Sequence, residues 1–304
     1  MNAVWSFWTK PFFADRECGW FSHWYSDWHH WLAWGLSVYA AARHYPETSL
    51  VTDDAGARIL VDGLRLPFRH VSTALNRLKG EDPQWWALGK IEAYRRQPTP
   101  FVHIDADVFL WLPLRPELEH ADVFAQNPET IVPGASCYRP ADLDGAIRQS
   151  GSGWLPREWN AHGTAGTRAE CCGVFGGNRV DFIRHYARAA VRLVTDPENR
   201  RALENLPGRN GHMILVEQYL LTACYEFHRA RPRSPYRGIQ MRYIFDTIEE
   251  ACRPERAAQA GFTHLASTAK ANARVCAHVE QRVRRDLPRY CERCIAFTRA
   301  AQRA

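Results

Sequence analysis

The sequence predicts an α/β protein with a Rossmann-like mixed sheet, mostly parallel and flanked by helices. Short β-prone runs alternate with helical segments along the 304 residues, which is the order that βαβ units produce. No internal repeat or low-complexity linker divides the chain. A hydrophobic content of 46% is enough for one large core. We therefore expect a single domain over residues 1–304.

The first half of the chain supplies the opening elements in order. A strand over Ala3–Phe7 precedes a helix over Ser22–His44, which Ser22 can cap and which Pro46 prevents from continuing. Further strands are expected over Ser49–Thr52 and in the apolar segment Leu66–Val71, followed by a helix over Gln84–Arg96. This alternation favours parallel strands joined by helical crossovers.

Tryptophans recur near the N-terminus at intervals of four, four and three residues. Trp20, Trp24, Trp28 and Trp31 would lie on one face of the predicted helix. Such a stripe is typical of a helix that packs on the core. A platform on which an acceptor sugar stacks is the second interpretation.

Two aspartates interrupt the apolar run Phe101–Leu110, which reads as a buried strand. Asp105 and Asp107 lie one residue apart toward its downstream end. Open α/β sheets bind ligands at the carboxyl ends of their strands, and carboxylates buried there need a cationic partner. Oxygen ligands suit Mg²⁺ and Mn²⁺, which leave positions open for the phosphates of a substrate. We therefore predict a divalent-metal site.

The second half combines long loops with helices. Loops are expected over 127–168, a strand or turn over Cys171–Gly177 and a helix over Arg179–Thr195. A polar loop over 196–211 then leads into the helix Met213–Phe227. Glu217 and Gln218 interrupt that otherwise apolar helix, and a buried carboxylate requires a partner or a function.

Charge and cysteine content limit the classes of function. The net charge of +6 is modest and concentrates in an arginine-rich tail, which is typical of a solvated basic helix. No nucleic-acid motif accompanies the charge, and we expect no nucleic-acid partner. No stretch is long enough to span a membrane, although contact with a membrane surface stays open. Nine scattered cysteines favour reduced thiols and a cytoplasmic location.

Four motifs in order resemble the GT-A glycosyltransferases, specifically the retaining family that contains glycogenin and bacterial lipooligosaccharide galactosyltransferases (glycosyltransferase family 8). Asp105-Ala106-Asp107 looks like that family's metal motif, and Cys171–Asn178 is similar to its Asn-Ser/Ala-Gly-Val segment. Glu217-Gln218 resembles its Asp-Gln pair, and His264–Lys270 resembles its His-x-x-Gly-x-x-Lys motif. The resemblance covers most of the chain.

The resemblance implies a GT-A fold and a metal-dependent transfer of a hexose from a nucleotide sugar, with UDP-sugar the expected donor and retention of configuration. Mn²⁺ or Mg²⁺ would be held by Asp105, Asp107 and His264, while Lys270 would bind the diphosphate. Glu217 and Gln218 would lie beside the transferred sugar. The resemblance leaves open whether Glu217 forms a covalent intermediate or whether the leaving phosphate deprotonates the acceptor in a front-face mechanism.

Other contacts with the donor follow from the resemblance or from strand ends. Lys90, Ala106, Gly176 and Gly177 are implied as donor contacts, and Ser6, Thr9 and Asp53 are candidates for the nucleoside because they end the first two strands. Asp53 is equally well explained as a helix cap or turn residue. Residues 1–126 would form a nucleotide-binding half, residues 127–270 an acceptor and sugar half, and residues 271–304 a basic helical tail.

The sequence departs from the family's motifs at Cys171, Glu217, Ser267 and Ala271, where the family has Asn, Asp, Gly and often Pro. The acceptor could be a saccharide, a lipid-linked glycan, a natural product or a protein side chain. Two other classes stay open. One is another metal-dependent nucleotide enzyme, either a nucleotidyltransferase or a nucleotide-sugar hydrolase, and the other is a non-catalytic protein that binds carbohydrate or nucleic acid.

Overall fold

The computed structural model describes residues 1–18, 24–132, 139–159 and 168–301, and its centre is one mixed sheet. The sheet has the strand order β3-β2-β1-β4-β7-β6-β8, and β5 pairs separately with β9. The strands are β1 (Asn2–Phe7), β2 (Thr48–Thr52), β3 (His70–Ser72), β4 (Phe101–Ile104), β5 (Val108–Leu110), β6 (Val123–Thr130), β7 (Arg168–Gly177), β8 (Met241–Tyr243) and β9 (Phe262–His264).

Strand direction in the large sheet confirms the mostly parallel arrangement. Neighbours β3, β2, β1 and β4 are parallel, as are β6 and β8, whereas β7 runs antiparallel to both β4 and β6. The carboxyl ends of β1, β2 and β4 therefore meet at one edge of the sheet, where an open α/β sheet binds its ligands.

Helices cover both faces of the sheet. One core cluster includes Val4 and Phe101 with residues of α4, α7 and α10, and the other includes Trp5 and Val102 with residues of α2, α13 and α14. Side chains thus alternate between two buried faces, as in a covered parallel sheet. The helices are α1 (Thr9–Cys18), α2 (Asp27–Ala42), α3 (Asp54–Ala57), α4 (Leu88–Arg96), α5 (Pro116–Glu119), α6 (Pro140–Gln149), α7 (Val180–Thr195), α8 (Pro197–Glu204), α9 (Arg209–Ile214), α10 (Leu220–Arg229), α11 (Ile248–Ala251), α12 (Pro254–Gln259), α13 (Ala273–Asp286) and α14 (Pro288–Ala301).

The expectation of one strand over Phe101–Leu110 was wrong. The chain turns at Asp105 and Asp107, and the amide of Val108 donates to the carbonyl of Asp105 over 3.0 Å. Val108–Leu110 then pairs with β9 instead of extending β4. Two carboxylates cannot continue a fully buried strand, so the chain leaves the sheet where they occur.

Two predicted helices begin later than expected. The helix predicted from Ser22, a residue outside the described part of the chain, begins at Asp27, so that Trp24 precedes it. Trp31 is buried in the core, as one interpretation of the tryptophan stripe required. The helix predicted from Gln84 begins at Leu88, because the residues before it form hydrogen-bonded turns instead.

The predicted loops contain more regular structure than expected. Strand β6 extends to Thr130 and α6 begins at Pro140 within the expected loop 127–168, while α8 lies in the expected polar loop 196–211. Proline occupies the first turn of both helices, where its missing N–H costs nothing. The helix predicted over Met213–Phe227 comprises α9, a π-helical turn over Leu215–Tyr219 and α10.

The arginine-rich tail forms two helices, α13 and α14, that pack on α2. Tyr290 donates a hydrogen bond to the carbonyl of Trp31 over 2.7 Å, and its ring fills the space beside Gly35. Cys291 and Cys294 are buried in the same core cluster. Within the described residues, no helix combines the length and apolar character needed to cross a membrane.

Candidate functional site

The turn that carries the two aspartates is fixed by its backbone. The amide of Asp105 donates to the carbonyl of Gly173 in β7 over 3.0 Å. Its own carbonyl accepts from the hydroxyl of Ser37 in α2 over 3.1 Å. Ser37 in turn accepts from the indole of Trp5 in β1. The carboxylates therefore project from a rigid position at the carboxyl edge of the sheet.

Strand pairing brings His264 and Lys270 to Asp107. His264 is the register partner of Val108, so its Nε2 lies 3.6 Å from Oδ1 of Asp107. A 3₁₀ turn over Ser267–Ala271 then returns the chain, and Nζ of Lys270 donates to Oδ2 of Asp107 over 2.9 Å. One ligand atom from each of Asp105, Asp107 and His264 lies within 4.8 Å of the others. We call these three residues the aspartate cluster.

A hydrogen-bond chain fixes the tautomer of His264. Gln126 donates its amide N–H to Oδ1 of Asn127 over 3.0 Å, so its Oε1 faces Nδ1 of His264 at 2.8 Å and accepts from it. Burial lowers the pKa of His264, although the charge of Asp107 opposes the shift. The neutral ring therefore turns the lone pair of Nε2 toward the carboxylate of Asp107, and two electron-rich atoms that face each other attract a cation.

Glycine at position 173 makes room for this arrangement. A Cβ atom there would lie 2.5 Å from Oε1 of Gln126 and 2.6 Å from Cε1 of His264. Both distances are far below a van der Waals contact, and the crowded atoms belong to the ring that must be oriented. Any larger residue would have to displace His264.

Lys90 joins the aspartate cluster to Glu217. Its Nζ lies 2.8 Å from Oδ2 of Asp105 and 2.7 Å from Oε1 of Glu217. Glu217 is fully buried, and the hydroxyl of Tyr94 also donates to its Oε1 over 3.2 Å. The hydroxyl of Tyr186 donates to the Glu217 carbonyl in the π-helical turn. The buried carboxylate that the sequence left without a partner thus pairs with a lysine on α4.

Charge is distributed unequally over the two aspartates. Burial raises the pKa of Asp105 to about 7, against the pull of Lys90 and with the help of Asp107. Burial also works against the ionised form of Asp107, but the charge and hydrogen bond of Lys270, with the charge of Lys90, favour it and lower the pKa of Asp107 to about 2. For Lys90, the carboxylates of Asp105 and Glu217 outweigh burial and raise its pKa. At neutral pH Asp107 therefore carries a full negative charge and Asp105 only a partial one, and the two lysines offset these charges.

Polar residues at the ends of β1 and β2 form a second layer. The hydroxyl of Ser6 lies 2.9 Å from Nε2 of His103, whose Nδ1 is 3.7 Å from Oδ1 of Asp105. Asp53 accepts from the amide and hydroxyl of Thr9 over 2.9 and 2.8 Å and from the amide of Gly56 over 2.8 Å. Asp53 is therefore the cap of α3, and it fixes the start of α1.

Gly176 and Gly177 lie away from the aspartate cluster. They pair with Val102 and Phe101 at the opposite end of β4, and a Cβ at either would lie 2.0–2.2 Å from a backbone oxygen. Close packing of backbones accounts for both glycines, and this position gives the predicted donor contact no support.

Ala106 lies between the two aspartates and packs against the core cluster that contains residues of α2. Gln218 follows Glu217 in the π-helical turn and is only partly buried.

Ser267 adopts a φ of 51°, in the left-handed region that favours glycine. It begins the turn that returns Lys270 to Asp107. Ser267 is the position at which the sequence departs from the glycine of the expected motif, and its backbone keeps the conformation that glycine adopts most readily.

The metal-ligand atoms of the aspartate cluster are of the kinds that bind a divalent metal. Two carboxylates and one imidazole suit Mn²⁺, and the imidazole makes Mg²⁺ a poorer match. Adjacent ligands of such ions are about 3 Å apart, so these atoms, which lie within 4.8 Å of one another, would move closer together around a bound ion. A pocket of about 810 Å³ borders the cluster through His264 and Gln126, with Asn127, Glu129 and Cys171 also on its wall.

Sequence reasoning missed several residues of this site. Gln126, His103 and Tyr94 contact predicted residues, yet each reads as an ordinary strand or helix residue. Gly173 lies inside a motif that the sequence did identify, next to Cys171 and Cys172. The role of Gln126 is visible only in the structure, because Gln126 is 138 positions away from its partner His264 in the sequence.

Comparison with known proteins supplies one match. Neither the curated proteins nor the solved structures contain a significant match to this chain. The model of a family of unknown function, DUF6734, matches residues 1–297. Since that match spans nearly the whole sequence, the chain belongs to the DUF6734 family.

Proposed function

We propose that this protein is a metal-dependent glycosyltransferase of the GT-A type, which transfers a hexose from a nucleoside diphosphate sugar, with UDP-sugar as the expected donor, to an acceptor with retention of configuration. One observation carries the proposal. Two lysine–carboxylate pairs, Lys270 with Asp107 and Lys90 with Asp105, meet at the carboxyl edge of a mostly parallel sheet, where His264 adds a third metal-ligand atom.

The leaving group in such a transfer is a diphosphate that gains negative charge. Asp105, Asp107 and His264 would hold Mn²⁺, which when bound supplies positive charge against that diphosphate. With Asp107 engaged by a cation, Lys270 would be free to contact a phosphate oxygen through its ammonium group. Lys270 has only 23% of its side chain exposed, so water competes weakly for the same contact.

Glu217 acts through Lys90 in this proposal. Its side chain has no exposed surface, and its Oε1 is engaged by Lys90 and Tyr94. A nucleophile must reach the anomeric carbon, so this burial supports the front-face mechanism over a covalent intermediate. Lys90 keeps 13% of its side chain exposed and is the group that meets the sugar or its phosphate. Glu217 is therefore a positioning residue.

The acceptor side of the site is the pocket beside His264. Asn127 and Glu129 supply polar groups to a wall that is otherwise largely apolar. This composition suits a hydroxylated acceptor with an apolar portion, since polar groups orient a ligand and apolar ones bury it. We also propose a cytoplasmic location, where nucleotide sugars and reduced thiols coexist.

Thermal unfolding with nucleotides tests the proposal. UDP with Mn²⁺ is expected to raise the melting temperature, and neither Mn²⁺ alone nor UDP alone should reach the same shift. The Asp107→Asn variant should lose the joint effect, while Asp62→Asn, which changes an exposed aspartate, should retain it. Absence of stabilisation by every nucleoside diphosphate and nucleotide sugar, with and without Mn²⁺, would overturn the assignment.

Product analysis separates this function from a related one. A transferase consumes UDP-sugar slowly without an acceptor and faster with one, and it releases UDP. A nucleotidyltransferase would instead release pyrophosphate, and a hydrolase would turn over at full rate with water alone. The burial of Glu217 and its bond to Lys90 favour the transferase, because neither alternative requires a buried carboxylate beside the phosphate-binding lysine.

A further inference from the structure

A second group of metal-ligand side chains shares no residue with the aspartate cluster. Glu158 precedes β7, His185 lies on α7 and His228 lies on α10. Nε2 of His185 is 2.9 Å from Oε1 of Glu158, Nε2 of His228 is 3.4 Å from the same oxygen, and the two Nε2 atoms are 3.1 Å apart. Glu158 and His228 are buried, whereas 30% of the His185 side chain is exposed.

Hydrogen bonds alone do not satisfy this triangle. Each Nε2 carries at most one proton, which points along one edge only, so two protons cannot serve all three contacts. If both protons point to Glu158, two N–H groups crowd each other over 3.1 Å. If one Nε2 atom carries no proton, its lone pair faces either the carboxylate of Glu158 or the other ring, and no proton lies along that edge of the triangle. Three atoms that converge on one point are typical of ligands around a cation.

The dimensions match a tetrahedral zinc ion. Ligands at the usual zinc distances of about 2.0–2.1 Å lie about 3.3 Å from one another. The three observed edges of 2.9, 3.1 and 3.4 Å need only a few tenths of an ångström of adjustment. We propose that Glu158, His185 and His228 form a second metal site, which binds Zn²⁺ through two imidazoles and one carboxylate.

Neighbouring residues suit this role. Nδ1 of His228 contacts the hydroxyl of Ser234 over 2.8 Å, an outer contact of the kind that orients a metal-bound imidazole. Burial lowers the pKa of His228, which keeps that ring neutral and able to bind a metal. Arg157 opposes the site with a guanidinium nitrogen 3.7 Å from Oε1 of Glu158, but 71% of its side chain is exposed and water screens its charge.

The fourth coordination position would open on the surface. Glu158 and His185 line a pocket of about 450 Å³, and Arg157, Arg188 and Arg192 lie on the same wall. Three protein ligands with one open position leave room for a water or an anionic group of a ligand. The arginines favour an anion there.

A metal at this site would tie together three segments, two of which contact the turn that carries Glu217. His185 precedes Tyr186, whose hydroxyl bonds to the Glu217 carbonyl. Glu158 precedes Trp159, whose ring contacts that of Tyr219 at a centroid distance of 5.0 Å, two residues beyond Glu217. The site is separate from the aspartate cluster, and its existence does not depend on the proposed transfer reaction.

Metal titration of the full-length protein tests the site. After treatment with EDTA, Zn²⁺ affinity is measured by competition with a chromogenic chelator, and Co²⁺ is added to detect the visible absorption of a tetrahedral site. His185→Gln and Glu158→Gln remove ligands, and His120→Gln is the matched control because His120 is exposed and outside both groups. Asp107→Asn removes the aspartate cluster, and Cys252→Ser removes the exposed thiol.

Wild type, His120→Gln, Asp107→Asn and Cys252→Ser are expected to bind one tight equivalent of Zn²⁺ and to show tetrahedral Co²⁺ absorption. His185→Gln and Glu158→Gln should bind Zn²⁺ about 100-fold more weakly, with circular dichroism that matches the wild type. Zinc should also raise the melting temperature of the first group more than that of the two ligand variants. Absence of tight Zn²⁺ binding in the wild type, or affinity that both ligand variants leave unchanged, overturns the proposal.

Discussion

The aspartate cluster and the Glu158 group each gather three metal-ligand side chains, but they neutralise charge in different ways. In the aspartate cluster, lysines occupy the carboxylates, with Lys270 on Asp107 and Lys90 on Asp105. In the Glu158 group, two imidazoles supply the contacts and no lysine takes part among the described residues. The first arrangement suits a cation that binds and dissociates together with an anionic substrate, and the second suits a cation that remains bound.

The two groups also differ in what fixes their ligands. Strand register and a single turn determine the aspartate cluster, since β5 pairs with β9 directly beyond Asp107. The Glu158 group depends on the packing of α7 against α10 and on the turn over residues 157–159. Changes in strand geometry should therefore damage the first group and leave the second intact.

Replacement of Asp107 should have the largest effect. Asp107→Asn removes a charged metal ligand and the partner of Lys270, and we expect transfer to fall about 10³-fold. The fold should survive because the amide keeps the shape of the carboxylate. Initial rates with UDP-sugars and Mn²⁺, together with melting temperature, measure both effects.

Zinc affinity at the Glu158 group should not change in the Asp107→Asn variant. A variant that retains wild-type transfer rates in Mn²⁺ would remove Asp107 from the metal site. Asp62→Asn serves as the matched control because Asp62 is exposed.

Glu217→Gln should lower turnover about 100-fold and change the affinity for UDP with Mn²⁺ by less than about threefold. The amide retains the size of the side chain but removes one of the two charges that hold Lys90. Single-turnover rates and calorimetric titration separate the two quantities. Glu204→Gln, at an exposed position of α8, is the control, and an unchanged turnover number in Glu217→Gln would return Glu217 to a purely structural role.

Gly173→Ala should weaken Mn²⁺ binding about 10-fold to 100-fold without unfolding the protein. The added methyl group meets His264 and Gln126 at 2.5–2.8 Å, so the ring must turn away from Asp107. Gly145→Ala is the control, because a Cβ there meets nothing within 4 Å. Equal Mn²⁺ affinities in the two variants would show that the orientation of His264 does not matter to the metal.

The sequence predicted the parts of this molecule that local patterns encode. The aspartate pair, the strand before it and the mostly parallel sheet follow from hydrophobic runs and spacing, and Glu217 was identified as a buried charge in need of a partner. The donor contact of Lys90 is an expectation that rests on the resemblance alone, and nothing in the sequence indicated its bond to Glu217. The aspartate pair, the strand before it and the buried charge of Glu217 can each be predicted from residues that lie close together in the sequence.

The features that the sequence did not predict depend on contacts between distant segments. Glu158 and His185 are 27 positions apart and His185 and His228 are 43 apart, with no spacing that marks a metal motif. Gln126 and Gly173 acquire their roles only when β6, β7 and β9 come together. Tertiary packing brings these partners together, and the hydrophobic periodicity of the sequence predicts secondary structure but not such contacts.

The pH dependence of metal binding should also separate the two groups. Because the pKa of Asp105 is raised to about 7, a proton competes with the metal, and Mn²⁺ affinity should fall by up to about tenfold for each pH unit below 7. The same shift means that the metal-free fold gains from that proton at low pH and loses the gain as the pH rises from 3.8 to about 7.

At the Glu158 group, burial opposes ionisation of the carboxylate, but the contacts with His185, its own backbone amide and the charge of Arg157 together lower the pKa of Glu158 to about 2, so its carboxylate adds no such dependence. Mn²⁺ titrations by electron paramagnetic resonance between pH 5.5 and 8 measure the slope at the aspartate cluster. A flat profile would contradict the raised pKa of Asp105.

Ser267→Gly should have the smallest effect, and it should stabilise the protein, whereas the other variants weaken activity or metal binding. A serine at a φ of 51° costs about 1 kcal/mol relative to glycine, and the greater freedom of glycine in the unfolded chain offsets about half of that. We therefore expect the free energy of unfolding to rise by about 0.5 kcal/mol, with Mn²⁺ affinity unchanged because the turn that returns Lys270 keeps its shape. Denaturant titration measures the difference. Ser150→Gly is the control, since Ser150 has a φ of −68° that serine adopts without strain, and it should lose stability where Ser267→Gly gains it.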